Sequence, residues 1–239
     1  MRADTPPIVL VHGAWHGAWC FAALQAELDR RGAPTYAIDL PGHGTSTSPL
    51  GDLHGDAAHV ADVLRSLGRP TVLVGHSYGG AVITEAAALT SGICHLVYVA
   101  AFALQPGESI TSLLLALPRA RVALSAAIEA RDDGTSVLVG DERITEALYG
   151  RCAASTISAA LPRLGPQPMI TFGQAISAPP RHPVATTYVR CTQDQAIHIG
   201  HQDHMAARCT TVHTLEADHS PFLSMTSDTA DILEAIARG

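Results

Sequence analysis

The sequence predicts an α/β protein, a mainly parallel sheet with helices on both faces and an inserted, mostly helical cap. Three observations predict it. Short apolar runs such as Ile8–Val11 recur between segments of helical spacing, the pattern of strands buried on both faces. The run Val72-Leu73-Val74 leads into Gly75-His76-Ser77-Tyr78-Gly79 and then a helix-like stretch to Leu89, which is strand, sharp turn and helix around a serine. The alternation of strand and helix lapses after residue 102 and resumes after 177. A core of residues 1–102 and 178–239 is therefore expected to carry a cap at residues 103–177.

Taken in order, Ile8–Val11 is a buried parallel strand ending at His12-Gly13. Trp19 to Arg31 has helical spacing through Phe21, Leu24 and Leu28, with Gly32 as its stop. Thr35–Ile38 is a second strand, followed by the loop Asp39-Leu40-Pro41-Gly42-His43-Gly44. Val60, Val63, Leu64 and Leu67 mark a helix closed by Gly68. Thr71–Val74 is the strand into the serine turn, and Cys94–Ala100 is the next. In the cap, helical segments are expected around Ser112–Leu117, Val122–Ala130 and Glu142–Cys152, with a β-like piece at Ser136–Val139. The Pro-rich stretch Ala178–Pro183 is the return linker. Thr186–Arg190 is then a strand, His198–Ala207 a helix, Thr211–Leu215 a strand and Pro221–Ala237 the last helix.

Composition narrows the class. The chain has 239 residues, enough for one domain with a full core; 47% hydrophobic and 15% charged residues mark it as globular. A net charge of −7 without a basic cluster argues against a nucleic-acid partner. Cys20, Cys94, Cys152, Cys191 and Cys209 are odd in number and form no C-x-x-C pair. Met1–Pro7 lacks the layout of a secretion signal, so reduced thiols and a cytoplasmic location are expected. No apolar run reaches the ~20 residues of a membrane helix. His198, His201 and His204 fall at i, i+3 and i+6, and the outer pair diverges around a helix, so surface histidines rather than a metal site are expected.

The chemistry resides in the serine turn. A serine hydroxyl needs a base, and the base needs an orienting carboxylate. Both are expected after later strands at the same sheet edge. His219, in the loop before the last helix, is the candidate base. Asp194, after the strand ending near Arg190, is the candidate acid. Asp218 adjoins His219 and is poorly placed to grip that ring's far nitrogen, and the preceding strand runs into Ala100-Ala101-Phe102-Ala103 without a carboxylate. The oxyanion of a tetrahedral intermediate would be held by the backbone N–H groups of Tyr78 and Ala14. Gly13 allows close approach to substrate, and Trp15 is a candidate pocket residue. Trp19 is expected to pack the first helix, His12 to be structural, His43 to lie in a loop near the site, and Cys20 and Cys191 to be small buried residues.

These residues resemble the α/β-hydrolase superfamily, and within it the branch of plant methylesterases and hydroxynitrile lyases. The matching pieces are Val11 to Trp19, Asp39 to Gly44, Gly75 to Gly80, Tyr188 to Ile197 and Ala217 to Phe222, which span the chain except the cap. The resemblance implies an α/β-hydrolase fold and a triad of Ser77, Asp194 and His219. The S-selective lyases of that branch carry threonine after the first histidine, glutamate before the serine and lysine after the catalytic histidine. Gly13, His76 and Ser220 stand there in this chain, which favours ester hydrolysis.

The expected function is serine-dependent hydrolysis of a small to medium, largely apolar carboxylic ester, such as a methyl or aryl ester, through an acyl-enzyme. The alternatives are a hydroxynitrile-lyase-like or other non-hydrolytic tailoring enzyme, or a small-ligand binding protein. No cofactor, nucleic acid or membrane is expected, and the chain is expected to be a monomer or homodimer.

Overall fold

The computed structural model describes residues 5–239; the first four residues of the Met1–Pro7 lead lie outside it. The central sheet is built from β1 (Ile8–Val11), β2 (Thr35–Ile38), β3 (Thr71–His76), β4 (Ile93–Val99), β8 (Ala185–Cys191) and β9 (Thr211–Leu215). Its order is β2-β1-β3-β4-β8-β9, parallel throughout. β1 and β3 are buried along their whole length, which is why both read as unbroken apolar runs. Strand alternation divides their side chains between two cores. Val9, Val11 and Leu73 face one, with Leu53, Val60 and Ile83. Ile8, Leu10, Val72 and Val74 face the other, with Leu24, Leu28, Phe222 and Leu233.

The helices around this sheet start and stop on local signals. A 3-10 turn at Ala18–Phe21 precedes α1 (Ala22–Arg30), so the helix expected from Trp19 begins in tighter form. Gly32 follows α1 with φ +79°, and its neighbour Ala33 donates back to the Leu28 carbonyl at 3.0 Å. α2 (Leu53–Leu67) starts where Asp52 accepts from the Gly55 N–H at 2.8 Å and stops at Gly68 in the left-handed region. α3 (Tyr78–Leu89) runs from the serine turn through the core and is buried along nearly all of its length.

Residues 103–177 carry α4 (Ile110–Ala116), α5 (Asp141–Leu148), α6 (Ala154–Ala160) and α7 (Ile170–Gly173). They also hold a small antiparallel sheet of β5 (Ile128–Ala130), β6 (Thr135–Leu138) and β7 (Gln167–Pro168). This corrects the helix expected over Val122–Ala130. Only Ala123–Ala126 forms a 3-10 turn, and Ile128–Ala130 pairs with Ser136–Leu138 across the Arg131-Asp132-Asp133-Gly134 turn. The alanines there favour a helix, but cross-strand pairing overrides that preference. The final segment is likewise two helices, α9 (Pro221–Ser224) and α10 (Thr226–Arg238), broken at Met225, whose φ of −135° and ψ of 53° are not helical. α8 (Ile199–Ala206) lies between β8 and β9. Among the described residues no helix is long and apolar enough to cross a membrane.

Candidate active site

Ser77 sits between β3 and α3 with φ 52° and ψ −119°, a conformation that L-residues seldom adopt. Its neighbours must be glycine. A Cβ on Gly75 would stand 2.4 Å from the Gly79 carbonyl oxygen, and one on Gly79 would stand 2.5 Å from that of Val11. Backbone occupies both places, so no rotamer change relieves either collision. The turn is clamped further by Gly80 and Phe102, whose N–H groups donate to the Ser77 carbonyl at 3.0 and 3.1 Å.

His219 lies after β9 and Asp194 after β8, both at the sheet edge where Ser77 emerges. The structure brings them together: His219 Nδ1–H donates to Asp194 Oδ2 at 2.8 Å, with both side chains almost wholly buried. The other oxygen of Asp194 accepts from the N–H groups of Ala196 and Ile197 at 2.7 and 2.9 Å. Such a network fixes the direction of the carboxylate. With Nδ1–H committed to Asp194, the free lone pair of neutral His219 is on Nε2.

Gln202, which the sequence did not reveal, and His76, the residue before the serine, hold this pair. Gln202 on α8 donates from Nε2 to Asp194 Oδ2 at 2.9 Å and accepts the Cys191 N–H at 2.9 Å. His76 donates from Nε2 to the His219 carbonyl at 2.9 Å, and its ring centroid lies 4.5 Å from that of His219. Burial keeps His76 neutral by pushing its pKa far down, reinforced by the nearby His219 and His16. The rival carboxylate Asp218 is engaged elsewhere. Its oxygens accept from the Arg151 and Ser220 N–H groups at 2.8 and 3.1 Å and from the Ser224 hydroxyl at 2.7 Å.

Beside Ser77 is a largely apolar cavity of about 350 Å³, bordered by Ala14, Trp15, Tyr78, Phe102 and Phe172. Among the described residues, the N–H groups of Ala14 and Tyr78 donate to no protein acceptor. Tyr78 is the first residue of α3, where a free N–H and the helix dipole both favour negative charge. Gly13, expected in the pocket, does not border the cavity. It stands behind the serine, where a Cβ would lie 2.9 Å from both Ser77 Cβ and His76 Nδ1.

The loops after β1 and β2 join this site to residues 136–167. Trp15 has φ 63°; its indole N–H donates to Ser136 Oγ at 3.2 Å, and its carbonyl accepts the Gly165 N–H at 2.9 Å. His16 donates from Nδ1 to the Ala14 carbonyl and accepts the Tyr149 hydroxyl on Nε2, at 2.8 and 2.7 Å. His12 donates to the Gly13 carbonyl and accepts the Leu40 N–H, at 2.8 and 3.0 Å. Each imidazole thus has one donor and one acceptor role, as a neutral ring must. Burial accordingly takes the pKa of His12 down to about 3 and that of His16 to about 4. His43 hydrogen-bonds with the Gln167 side-chain amide at 3.0 Å. Trp19 lies under the Arg163 guanidinium, 4.7 Å from its ring centroid.

The remaining sequence candidates have separate roles. His198 accepts the Gly200 N–H, His201 donates to the Pro118 carbonyl and His204 contacts Arg208. Among the described residues no three His, Cys, Asp or Glu side chains are grouped to hold a metal. All five cysteines are free, and Cys20 and Cys191 are buried, with their thiol pKa values pushed up by desolvation.

A doubly covered parallel sheet with a glycine-walled serine turn at its edge defines the class of α/β hydrolases. The chain belongs to the alpha/beta hydrolase family, whose model matches residues 8–232. It is 30% identical over 246 residues to the pFDCC methylesterase MES16 of Arabidopsis thaliana, a match covering 96% of this chain and 94% of that protein. The crystal structure of MES16 superposes with a TM-score of 0.82 at 27% identity, covering 97% of this chain and 99% of that one. A carbendazim hydrolyzing esterase of Nocardioides sp. (strain SG-4G) is 40% identical over 111 residues, 44% of this chain and 46% of that protein. A pyrethroid hydrolase from Sphingobium faniae JZ-2 shares the fold, with a TM-score of 0.84 at 24% identity over 97% of each chain.

Proposed function

We propose that the protein is a serine esterase acting on small to medium, largely apolar carboxylic esters through an acyl-enzyme. The observation that carries this reading is the buried His219–Asp194 pair, joined at 2.8 Å at the sheet edge where the strained Ser77 turn emerges. Ser77 Oγ attacks the ester carbonyl carbon while His219 Nε2 takes its proton. Asp194 holds the imidazole in the required tautomer and stabilises the imidazolium. The carbonyl oxygen becomes an oxyanion between the N–H groups of Ala14 and Tyr78, which have no protein acceptor among the described residues; one such donor contributes about 3–4 kcal/mol to the transition state. His219 then protonates the leaving alcohol. Water, activated by the same imidazole, attacks the acyl-enzyme and releases the acid.

The apolar walls of the cavity favour an apolar substrate body. The esterase relatives support the same chemistry, since MES16 and the Nocardioides enzyme are both described as ester hydrolases. The test is hydrolysis of short p-nitrophenyl and methyl aryl esters by the native protein and Ser77→Ala. Native turnover is expected with an initial burst of p-nitrophenol, and turnover lower by at least about 10⁴-fold in a variant of unchanged thermal midpoint. Substantial residual hydrolysis by purified Ser77→Ala, or none by folded native protein, overturns the reading.

A further inference from the structure

We propose that the cavity beside Ser77 takes esters that carry a carboxylate remote from the scissile bond, recognised at the cavity rim by the guanidinium of Arg119. This rests on the reading of Ser77 as an esterase nucleophile. The cavity is walled by apolar side chains such as Phe102, Ile110, Leu114 and Phe172, and no carboxylate borders it among the described residues. Arg119 is the one permanently charged side chain at its edge, and it is exposed. Several other arginines are neutralised within the fold: Arg31 by Glu27, Asp231 and Glu234, Arg190 by Asp203, Arg208 by Glu108 and Arg238 by Glu234. Arg119 makes no such ion pair among the described residues. Arg69, Arg121, Arg131, Arg143, Arg163 and Arg181 likewise make no ion pair among the described residues; Arg119 differs from them in bordering the cavity.

The backbone that carries Arg119 is anchored. His201 Nε2 donates to the carbonyl of Pro118, the residue immediately before it, at 2.8 Å. Five residues further on, the Leu124 N–H donates to the Gln195 carbonyl at 3.1 Å. Both anchors belong to the segment after β8, the segment that also holds Asp194. The rim is thereby fixed relative to the catalytic carboxylate, and the guanidinium projects from a defined base.

A planar guanidinium matches a carboxylate in a two-pronged hydrogen-bonded pair. With the rim open to water such a pair contributes little, but an apolar substrate body filling the cavity excludes water from one side and strengthens it. The arrangement therefore suits a half-ester of a dicarboxylic acid. The ester end reaches Ser77, the apolar spacer occupies the cavity and the free carboxylate meets Arg119.

The test compares mono-p-nitrophenyl esters of glutaric, adipic and suberic acids with the same compounds capped as neutral methyl esters. Binding is measured calorimetrically on Ser77→Ala, and turnover on the protein with Ser77 intact. For the spacer length that fits, the anionic ester is expected to bind about tenfold more tightly than its capped counterpart. That advantage should vanish in Ser77→Ala/Arg119→Gln, persist in part with Arg119→Lys, and shrink as salt rises from about 50 to 500 mM. Equal binding of the two series, no binding of either, or an Arg119→Gln loss that is equal for both, overturns the proposal. Hydrolysis of both series without preference leaves the nucleophile reading standing and removes this one. A binding preference that depends on Arg119, without hydrolysis of any ester, does the reverse.

Discussion

The phenol of Tyr78, the residue after Ser77, donates a hydrogen bond of 2.7 Å to Oδ2 of Asp56 on α2. Asp56 is almost fully buried and its other oxygen has no partner among the described residues. Desolvation raises its pKa to about 7, opposed by the Tyr78 hydrogen bond and assisted by the charge of Asp52. In the unfolded chain this carboxyl ionises near pH 4. Between about pH 4 and 7 the folded state holds a proton that the unfolded state has released, so the stability contributed by Asp56 is lost as pH rises through that window. Asp56→Asn retains an acceptor for Tyr78 without the charge. Its stability relative to the native chain should rise from pH 4 to 7 and level off above, as read by urea unfolding at a series of pH values. A difference that does not vary with pH would refute this account.

Three of the buried imidazoles work in the opposite sense. His12, His16 and His76 are neutral in the fold, with pKa values pushed below the ordinary 6.5 by burial. Once unfolded, each takes up a proton as pH falls below about 6.5. Their contribution is therefore present above pH 6.5 and lost on acidification towards about pH 4. Each imidazole adds a slope of at most about 1.4 kcal/mol per pH unit, and Asp56 cancels roughly one of the three in the shared window. Net proton uptake on unfolding near pH 5 is the expected result, measurable by calorimetry in buffers of different ionisation enthalpy. Stability that is flat or rising on acidification from pH 6.5 to 4.5 would show that these rings are already charged in the fold.

Gly13 is one of three positions, with His76 and Ser220, at which this chain departs from the lyases of the branch it resembles. A threonine there would place its Cβ 2.9 Å from Ser77 Cβ and 2.9 Å from His76 Nδ1. His76 is held by its bond to the His219 carbonyl and has no room to retreat, so the serine turn must shift. Gly13→Thr should destabilise the fold by about 1–3 kcal/mol and lower kcat at least about tenfold, without gaining cyanohydrin cleavage. Release of cyanide from mandelonitrile by this variant would show that the turn tolerates the side chain and that Gly13 alone decides the reaction.

The particular elements explain how far the sequence could be read. Ile8–Val11 and Thr71–His76 were legible because a strand covered on both faces must be apolar throughout, a pattern that survives without knowledge of neighbours. Ser77 was legible because its glycines answer to local backbone collisions. Asp194 and His219 stood out by following late strands at the proper chain order. Asp56 and Gln202 did not, since a polar residue on a helix reads as a surface residue until the packing shows that it points inward. The strand Ile128–Ala130 was hidden for the complementary reason. Its pairing with Ser136–Leu138 is a tertiary fact, whereas Ala123, Ala126, Ala127 and Ala130 in and before it speak locally for a helix.

Gln202 offers the sharpest test of how Asp194 is held. The two hydrogens on its Nε2 are shared among Asp194 Oδ2, the oxygen that also receives His219 Nδ1–H, and the Cys191 and Ile197 carbonyls, while its Oε1 accepts the Cys191 N–H. One amide therefore sets both the position of the carboxylate and the end of β8. Gln202→Leu removes every one of these bonds and leaves Asp194 with only its backbone donors and His219. The expected cost is about 1–3 kcal/mol of stability from unsatisfied buried groups. Gln202→Glu keeps the shape but sets a second carboxyl against Asp194, so one of the pair must hold a proton. If the amide acts by orienting Asp194, kcat should fall about 10- to 100-fold in Gln202→Glu with KM little changed, since the proton held between the two carboxyls competes with His219 Nδ1–H for Asp194 Oδ2. A Gln202→Glu variant with native kcat and KM would reduce Gln202 to a structural support of the strand end.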